Sequence, residues 1–325
     1  MRVDLAPPPW ATHLISDRDD WLRAPRPVAA VAPFDLPDDA YFEYAYLDAD
    51  GRRRPDPANP NPPNNPWWDY ARYLAGPGYR PDPWAQVPDG TGPLGTVARL
   101  KLASRRLRQP RHLLVYSPPG TAGARLPQVW FQDGKAYYGW GKAPQVLDRL
   151  IAAGQCAPAH LVFVPPSDRD REYAFNDAYL EFLVEEAVPA VEERAPGDGR
   201  RAAWGASLGG LCSAELGWRY PLTFQTLVTQ SGAFLFAPGR SPGAGPYGGR
   251  EWWADRVRTE AWRPLRWQVQ TGVLEWLHRP NRNLAGALDA AGLDVEYVER
   301  TAGHNWTNWR DGLAAGFRFA LPIRP

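Results

Sequence analysis

From about residue 91 onward, the apolar positions alternate between two rhythms. Apolar-rich segments at 128–132, 160–164, 224–230, 265–270 and 295–298 read as short strands, the first two buried on both faces. Residues 97–103 and 112–116 also read as strands. Between the runs the spacing is helical. Val146, Leu147, Leu150 and Ile151 share one face of a helix over 145–153, which Gly154 stops. Leu180, Leu183, Val184, Ala187, Val188 and Val191 align along 177–194, where Pro189 is expected to bend the helix. A further helix is expected over 283–291. Strands alternating with helices predict a mostly parallel sheet covered on both faces.

The first 90 or so residues follow a different pattern. They are rich in Pro, Asp, Asn and Trp and have few long apolar runs. Residues 40–47 read as a strand followed by a turn at 48–51. The segment 56–66 breaks every regular structure with its prolines. The chain therefore divides into a small β-rich module with a Pro-rich linker, 1–90, and an α/β domain, 91–325. The glycine- and proline-rich stretch 238–249 is expected to be a mobile loop above the sheet.

Composition narrows the reading little. A net charge of +1 over 325 residues gives no whole-molecule field directed at nucleic acid or an anionic membrane. No stretch approaches a membrane span, and the N-terminus lacks the apolar core of a signal peptide, so a cytoplasmic protein is expected. Cys156 and Cys212 are expected to be reduced thiols rather than a disulfide.

The chemistry concentrates in Gly205-Ala206-Ser207-Leu208-Gly209-Gly210, which lies between an apolar stretch at 202–204 and a helical one at 211–218. Gly-x-Ser-x-Gly between strand and helix is the nucleophile elbow of α/β-hydrolases. The tight turn lifts the Ser207 hydroxyl clear of the sheet, and the Leu208 N–H, at a helix start, faces a developing oxyanion. In this fold the acid and then the histidine follow the serine. Of five histidines only His278 and His304 do so. His304, just past the last strand, is the expected base. Glu275, just past the preceding strand at Gly272, is the expected acid. Asp294 is the alternative, but it precedes the last strand and belongs at the other end of the sheet. The loop 132–138 offers a second oxyanion donor in the Lys135 N–H, or else forms a simple tight turn.

This ordered series resembles the enterochelin esterase-type family, α/β-hydrolases that open the ester bonds of trilactone siderophores. The resemblance runs through Arg111-His112-Leu113-Leu114, Asp133-Gly134 and Arg171-Glu172-Tyr173 with Asn176. It continues through the elbow, Thr229-Gln230-Ser231-Gly232, Gly272 with Glu275, Asn281-Arg282-Asn283, and Gly303-His304-Asn305-Trp306 with Trp309-Arg310. It implies a Ser207–His304–Glu275 triad, with the Leu208 and Lys135 amides as oxyanion hole and no metal or organic cofactor. Arg171, Trp309 and Arg310 fall where the family builds its pocket. For Arg171 an ion pair with Asp168, Asp170 or Glu172 is equally open, and for Trp309 core packing. Residues 56–60 resemble the end of the family's N-terminal immunoglobulin-like module, here shortened. The implied partner is a small-molecule ester. An iron-loaded tricatecholate is anionic and aromatic, so guanidinium and indole surfaces suit it. Two other readings stay open. One is a general carboxylesterase for aryl or short acyl esters, with Trp252, Trp253 and Trp306 near the mouth. The other is a non-catalytic binding protein on a hydrolase scaffold, for which Trp67, Trp68 and Tyr70 look exposed. Oligomeric state is left open.

Overall fold

In the computed structural model the described residues are 1–21, 23–239, 251–260 and 263–323. The expected loop at 238–249 therefore lies, from residue 240 onward, outside the described residues.

The N-terminal part builds short antiparallel strands: β1 (Arg2–Val3), β2 (His13–Ser16), β3 (Arg26–Pro27), β4 (Phe34–Asp35), β5 (Tyr41–Leu47), β6 (Arg53–Arg54) and β7 (Arg72–Ala75). β1 pairs with β4, and the others form a sheet ordered β3-β2-β5-β6 with β7 also on β5. β5 is the spine of this module, buried from Tyr41 to Tyr46. Its aromatics Phe42, Tyr44 and Tyr46 fill a small core of their own. The proline-broken segment 56–66 has no strand to satisfy its polar groups, so side chains do it. Asp56 accepts the Tyr44 hydroxyl at 2.6 Å. The Asn59 and Asn61 amides donate to the Tyr73 carbonyl at 3.0 and 2.9 Å.

The main sheet contains β8 (Thr96–Ser104), β9 (Gln109–Ser117), β10 (Leu126–Gln132), β11 (His160–Val164), β12 (Gly197–Ala206), β13 (Thr226–Gln230), β14 (Arg266–Gly272) and β15 (Asp294–Arg300). Their order is β15-β14-β13-β12-β10-β11-β9-β8. Pairing is parallel from β15 through β11 and antiparallel at the β11–β9 and β9–β8 junctions. This is the α/β-hydrolase arrangement, with small antiparallel sheets added at the N-terminus.

Ten α-helices flank the sheet among the described residues: α1 (Gly134–Gly139), α2 (Ala143–Ala152), α3 (Arg169–Tyr173), α4 (Asp177–Glu181), α5 (Val188–Arg194), α6 (Leu208–Arg219), α7 (Trp252–Thr259), α8 (His278–Ala290), α9 (Trp306–Asp311) and α10 (Leu313–Ala320). Alternate residues of one strand serve opposite cores. Phe131 packs with α1, α2, α9 and α10, whereas Trp130 packs in the larger core with α4 to α8. The helix expected over 177–194 is interrupted by a π-helical stretch, Phe182–Ala187, just before Pro189. Pro189 has no N–H and its ring crowds the preceding turn, so the chain widens there and restarts as α5.

The two parts are joined at the end of β15. The Tyr41 N–H donates to the Thr301 carbonyl at 2.9 Å, and the Gly303 N–H to the Tyr41 carbonyl at 3.2 Å. Asn64 donates to Thr307 on α9 at 2.9 Å.

Candidate active site

Ser207 links β12 to α6 in a backbone conformation that L-residues rarely adopt, φ +55° and ψ −120°. What permits it is the glycine two residues earlier. A Cβ at Gly205 would lie 2.2 Å from the Gly209 carbonyl oxygen, so strand and helix approach this closely only without one. Leu208 begins α6, and its N–H belongs to the first turn, where no helical carbonyl reaches back.

His304 and Glu275 arrive from the ends of neighbouring strands. β14 ends at Gly272, and Glu275 follows in the loop; β15 ends at Arg300, and His304 follows. His304 Nε2 stands 3.0 Å from Ser207 Oγ, and Nδ1 stands 2.6 Å from Glu275 Oε2. The other Glu275 oxygen accepts from Thr271 Oγ1 at 2.5 Å and from the Gly272 N–H at 2.9 Å. Burial pushes the Glu275 carboxyl up, but the His304 hydrogen bond and charge, with the Thr271 and Gly272 donors, outweigh it and hold the group below its ordinary range. The His304 ring sits edge-on to Trp309, with centroids 5.1 Å apart, and 5.6 Å from Trp276. Asp294, the alternative acid, is the first residue of β15 and pairs with Arg266 instead.

The cleft in front of Ser207 has a volume of about 330 Å³. Its floor is Ser207, Leu208 and His304, and Trp276 and Trp309 form one side. The N-terminal module supplies another side with Trp21, Trp67 and Trp68. Trp67 and Trp68, picked out in the sequence as exposed aromatics, thus face the cleft. Trp253 and Trp306, expected near its mouth, are wholly buried, because each packs among other aromatic rings. Trp252 meets Phe175 edge to face and carries the Arg256 guanidinium over its ring, away from the lining.

The remaining site candidates divide. Trp309 lines the cleft, and its indole N–H donates to Ser231 Oγ at 2.9 Å. Arg171 is outside the lining; its N–H donates to Asp168, which caps α3. Arg310 is also outside the lining and lies 3.8 Å from Asp311. Lys135 is in the first turn of α1 with its side chain exposed on a separate cavity shared with Arg99, His112 and Phe163. The sequence reading missed two cleft arginines, Arg23 and Arg169, the latter two positions before Arg171. Arg169 grips both Asp133 oxygens at 2.9 Å, donates to the Ala206 carbonyl at 3.1 Å and lies over the Trp67 ring at 5.1 Å. The Asp168 cap sets the start of α3 and hence which arginine points inward; Asp-x-x-Glu at 168–171 does not occur, so the sequence signal was only the cap itself.

Residues 104–320 match the Putative esterase family. An iron(III) enterobactin esterase of Dickeya dadantii is 27% identical over 263 residues, covering 73% of this chain and 58% of that protein. The chain thus spans under two thirds of this curated relative's length. The structure superposes on an enterobactin esterase of Shigella flexneri crystallised in the presence of enterobactin. That match has a TM-score of 0.75 at 19% identity and covers 95% of this chain and 87% of the other. A CE1 ferulic acid esterase of Anaeromyces mucronatus matches with a TM-score of 0.56 at 19% identity, over 74% of this chain and 96% of the other.

Proposed function

The chain belongs to the Putative esterase family, and from that premise we propose that it is a serine esterase acting through Ser207, His304 and Glu275. The observation that carries this reading is the unbroken hydrogen-bond line from Glu275 through His304 to Ser207. His304 takes the Ser207 proton as Oγ attacks the ester carbonyl. The ionised Glu275 holds the imidazole by Nδ1–H and stabilises the imidazolium. The Leu208 N–H, with Lys135 as the second donor, binds the oxyanion; one such donor is worth about 3 kcal/mol in comparable enzymes. The alcohol leaves with the proton from His304, and water then attacks the acyl-enzyme with His304 again as base. No step calls for a metal or organic cofactor.

The substrate we propose is a trilactone siderophore ester of the enterobactin type, in its iron-loaded form. Support comes from the likeness to enterobactin esterases and from a cleft that joins indole faces to the Arg23 and Arg169 guanidiniums. A second reading, a carboxylesterase for uncharged aryl esters, is favoured by one feature. Asp20 and Asp170 line the same cleft and balance its two arginines, which weakens its pull on a polyanion.

The deciding experiment is hydrolysis of an iron-loaded tricatechol trilactone with mass detection of the opened products, beside a short aryl ester and Ser207→Ala. Opening of the trilactone by wild type and its loss in Ser207→Ala, by about a million-fold in kcat, supports the siderophore esterase. Turnover of the aryl ester alone keeps the triad and transfers the assignment to the second reading. Undiminished turnover in Ser207→Ala removes the serine mechanism altogether.

A further inference from the structure

Two carboxyls of the N-terminal module, Asp17 and Glu43, are fully buried, and neither is in an ion pair among the described residues. Such groups are costly to bury, so their contacts carry information. Asp17 Oδ2 accepts the Glu43 N–H at 2.6 Å and Asn305 Nδ2 at 2.7 Å, and Oδ1 accepts the Trp21 indole N–H at 3.0 Å.

These partners converge on the base. Asn305 directly follows His304, and its own Oδ1 caps α9 by accepting the Asn308 N–H at 2.9 Å. Gly303 directly precedes His304. A Cβ there would stand 2.2 Å from Asp17 Cβ, so only glycine lets the loop lie against Asp17. Both neighbours of His304 are thus fitted to one carboxyl, and the backbone bonds between Tyr41 and 301–303 clamp the same loop. On its other side Asp17 holds Trp21, which lines the cleft and stacks on Trp68 at 4.7 Å. Glu43 repeats the device: it accepts from Asn65 Nδ2 at 3.0 Å, and Asn65 accepts the N–H of Trp67, another cleft indole.

We propose that Asp17 is a positioning residue for the reaction. From the N-terminal module it fixes the His304 loop at hydrogen-bonding distance from Ser207 and ties that loop to the aromatic wall of the cleft. The proposal rests on the serine-esterase reading. Asp17 touches no reacting atom; it acts through Asn305 and Gly303. The N-terminal module is accordingly part of the catalytic apparatus rather than an appendage.

The test uses the full chain and two readouts that mere stabilisation would not move. One is the rate at which a fluorophosphonate labels Ser207. The other is the split between kcat and KM on p-nitrophenyl acetate, a small ester that needs few contacts beyond the triad. Both are read at about pH 8, where Asp17 is a carboxylate, and at a temperature where circular dichroism and urea midpoints show a native fold. Asp17→Asn is expected to lower the labelling rate and kcat by about a hundredfold, the scale of a 1 Å misplacement, with KM within about twofold. If that variant does not fold, Asn305→Asp carries the test: it keeps the α9 cap, sets two acceptors face to face, and is expected to give the same loss. Folded single variants that label at the wild-type rate overturn the proposal. Wild-type labelling no faster than that of Ser207→Ala would instead defeat the esterase reading on which it rests.

Discussion

Glu275 does two jobs with its two oxygens, and each has a measurable consequence. In the proposed mechanism Oε2 accepts from His304 Nδ1–H and sets its tautomer, while Oε1 is anchored by Thr271 and Gly272, so the carboxylate cannot rotate away. Glu275→Gln keeps the shape but turns a donor or a misplaced acceptor towards Nδ1. The expected loss in kcat is about ten-thousand-fold, as for the same exchange in other triads, with KM little changed. The lowered pKa also enters stability. The folded group ionises below its ordinary value of 4.5, so its contribution is complete above that value and is lost as pH falls through the folded one. Wild type is therefore expected to lose more stability than Glu275→Gln on acidification below about pH 4.5, read from urea midpoints. Ser207 and His304 were legible in the sequence because a glycine-flanked serine and a histidine after the last strand are local signals. Glu275 was legible only through the strand that ends just before it.

Between elements, Arg169 is the brace that sequence spacing could not single out. Its guanidinium joins the Asp133 corner before α1 to the Ala206 carbonyl before the elbow, two segments that must keep their separation if both are to flank one oxyanion. A lysine cannot reproduce this fork. Arg169→Lys is expected to cost about 2 kcal/mol in urea unfolding, the scale of one hydrogen bond to a charged group. It should also lower kcat/KM on trilactone and aryl ester alike. A loss on the trilactone alone would make Arg169 a substrate contact only. Strand and helix positions followed from apolar rhythm: burial on both faces leaves a continuous run in central strands such as β10 and β11, whereas β8 and β15, at the ends of the sheet, alternate. The π-helical stretch at Phe182–Ala187 did not: Pro189 announced a disturbance, but only packing against the sheet selected a widened turn over a kink.

At the scale of the whole molecule, the N-terminal module places a wholly buried acid beside the base loop, and this should make stability pH-dependent. Burial pushes the Asp17 carboxyl up to about 7, against donors from Asn305, Glu43 and Trp21 and the nearby His304 charge. Glu43, the other acid facing it, is raised too, by burial and by Asp17. The unfolded chain ionises Asp17 near 3.8, well before the folded one, so the folded state binds more protons between those values. The Asp17 contribution to stability then falls as pH rises from about 4 to about 7 and levels off above. Asp17→Asn removes this slope. Relative to wild type the variant should gain stability over that interval, read from urea midpoints at matched ionic strength. A difference that stays constant with pH would mean that Asp17 is already ionised in the folded protein at low pH.

The sequence by itself determined the α/β layering, the elbow and the order of serine, acid and histidine, because each depends on contacts close along the chain or on strand ends. Whether Arg169 or Arg171 faces the cleft was decided by the start of α3, a matter of helical phase. The tryptophans divided between core and cleft by packing alone, since an indole's sequence neighbours do not reveal its burial. Only the tertiary structure brought Asp17 against Gly303 and Asn305. That contact spans nearly the whole chain, and no local pattern records it.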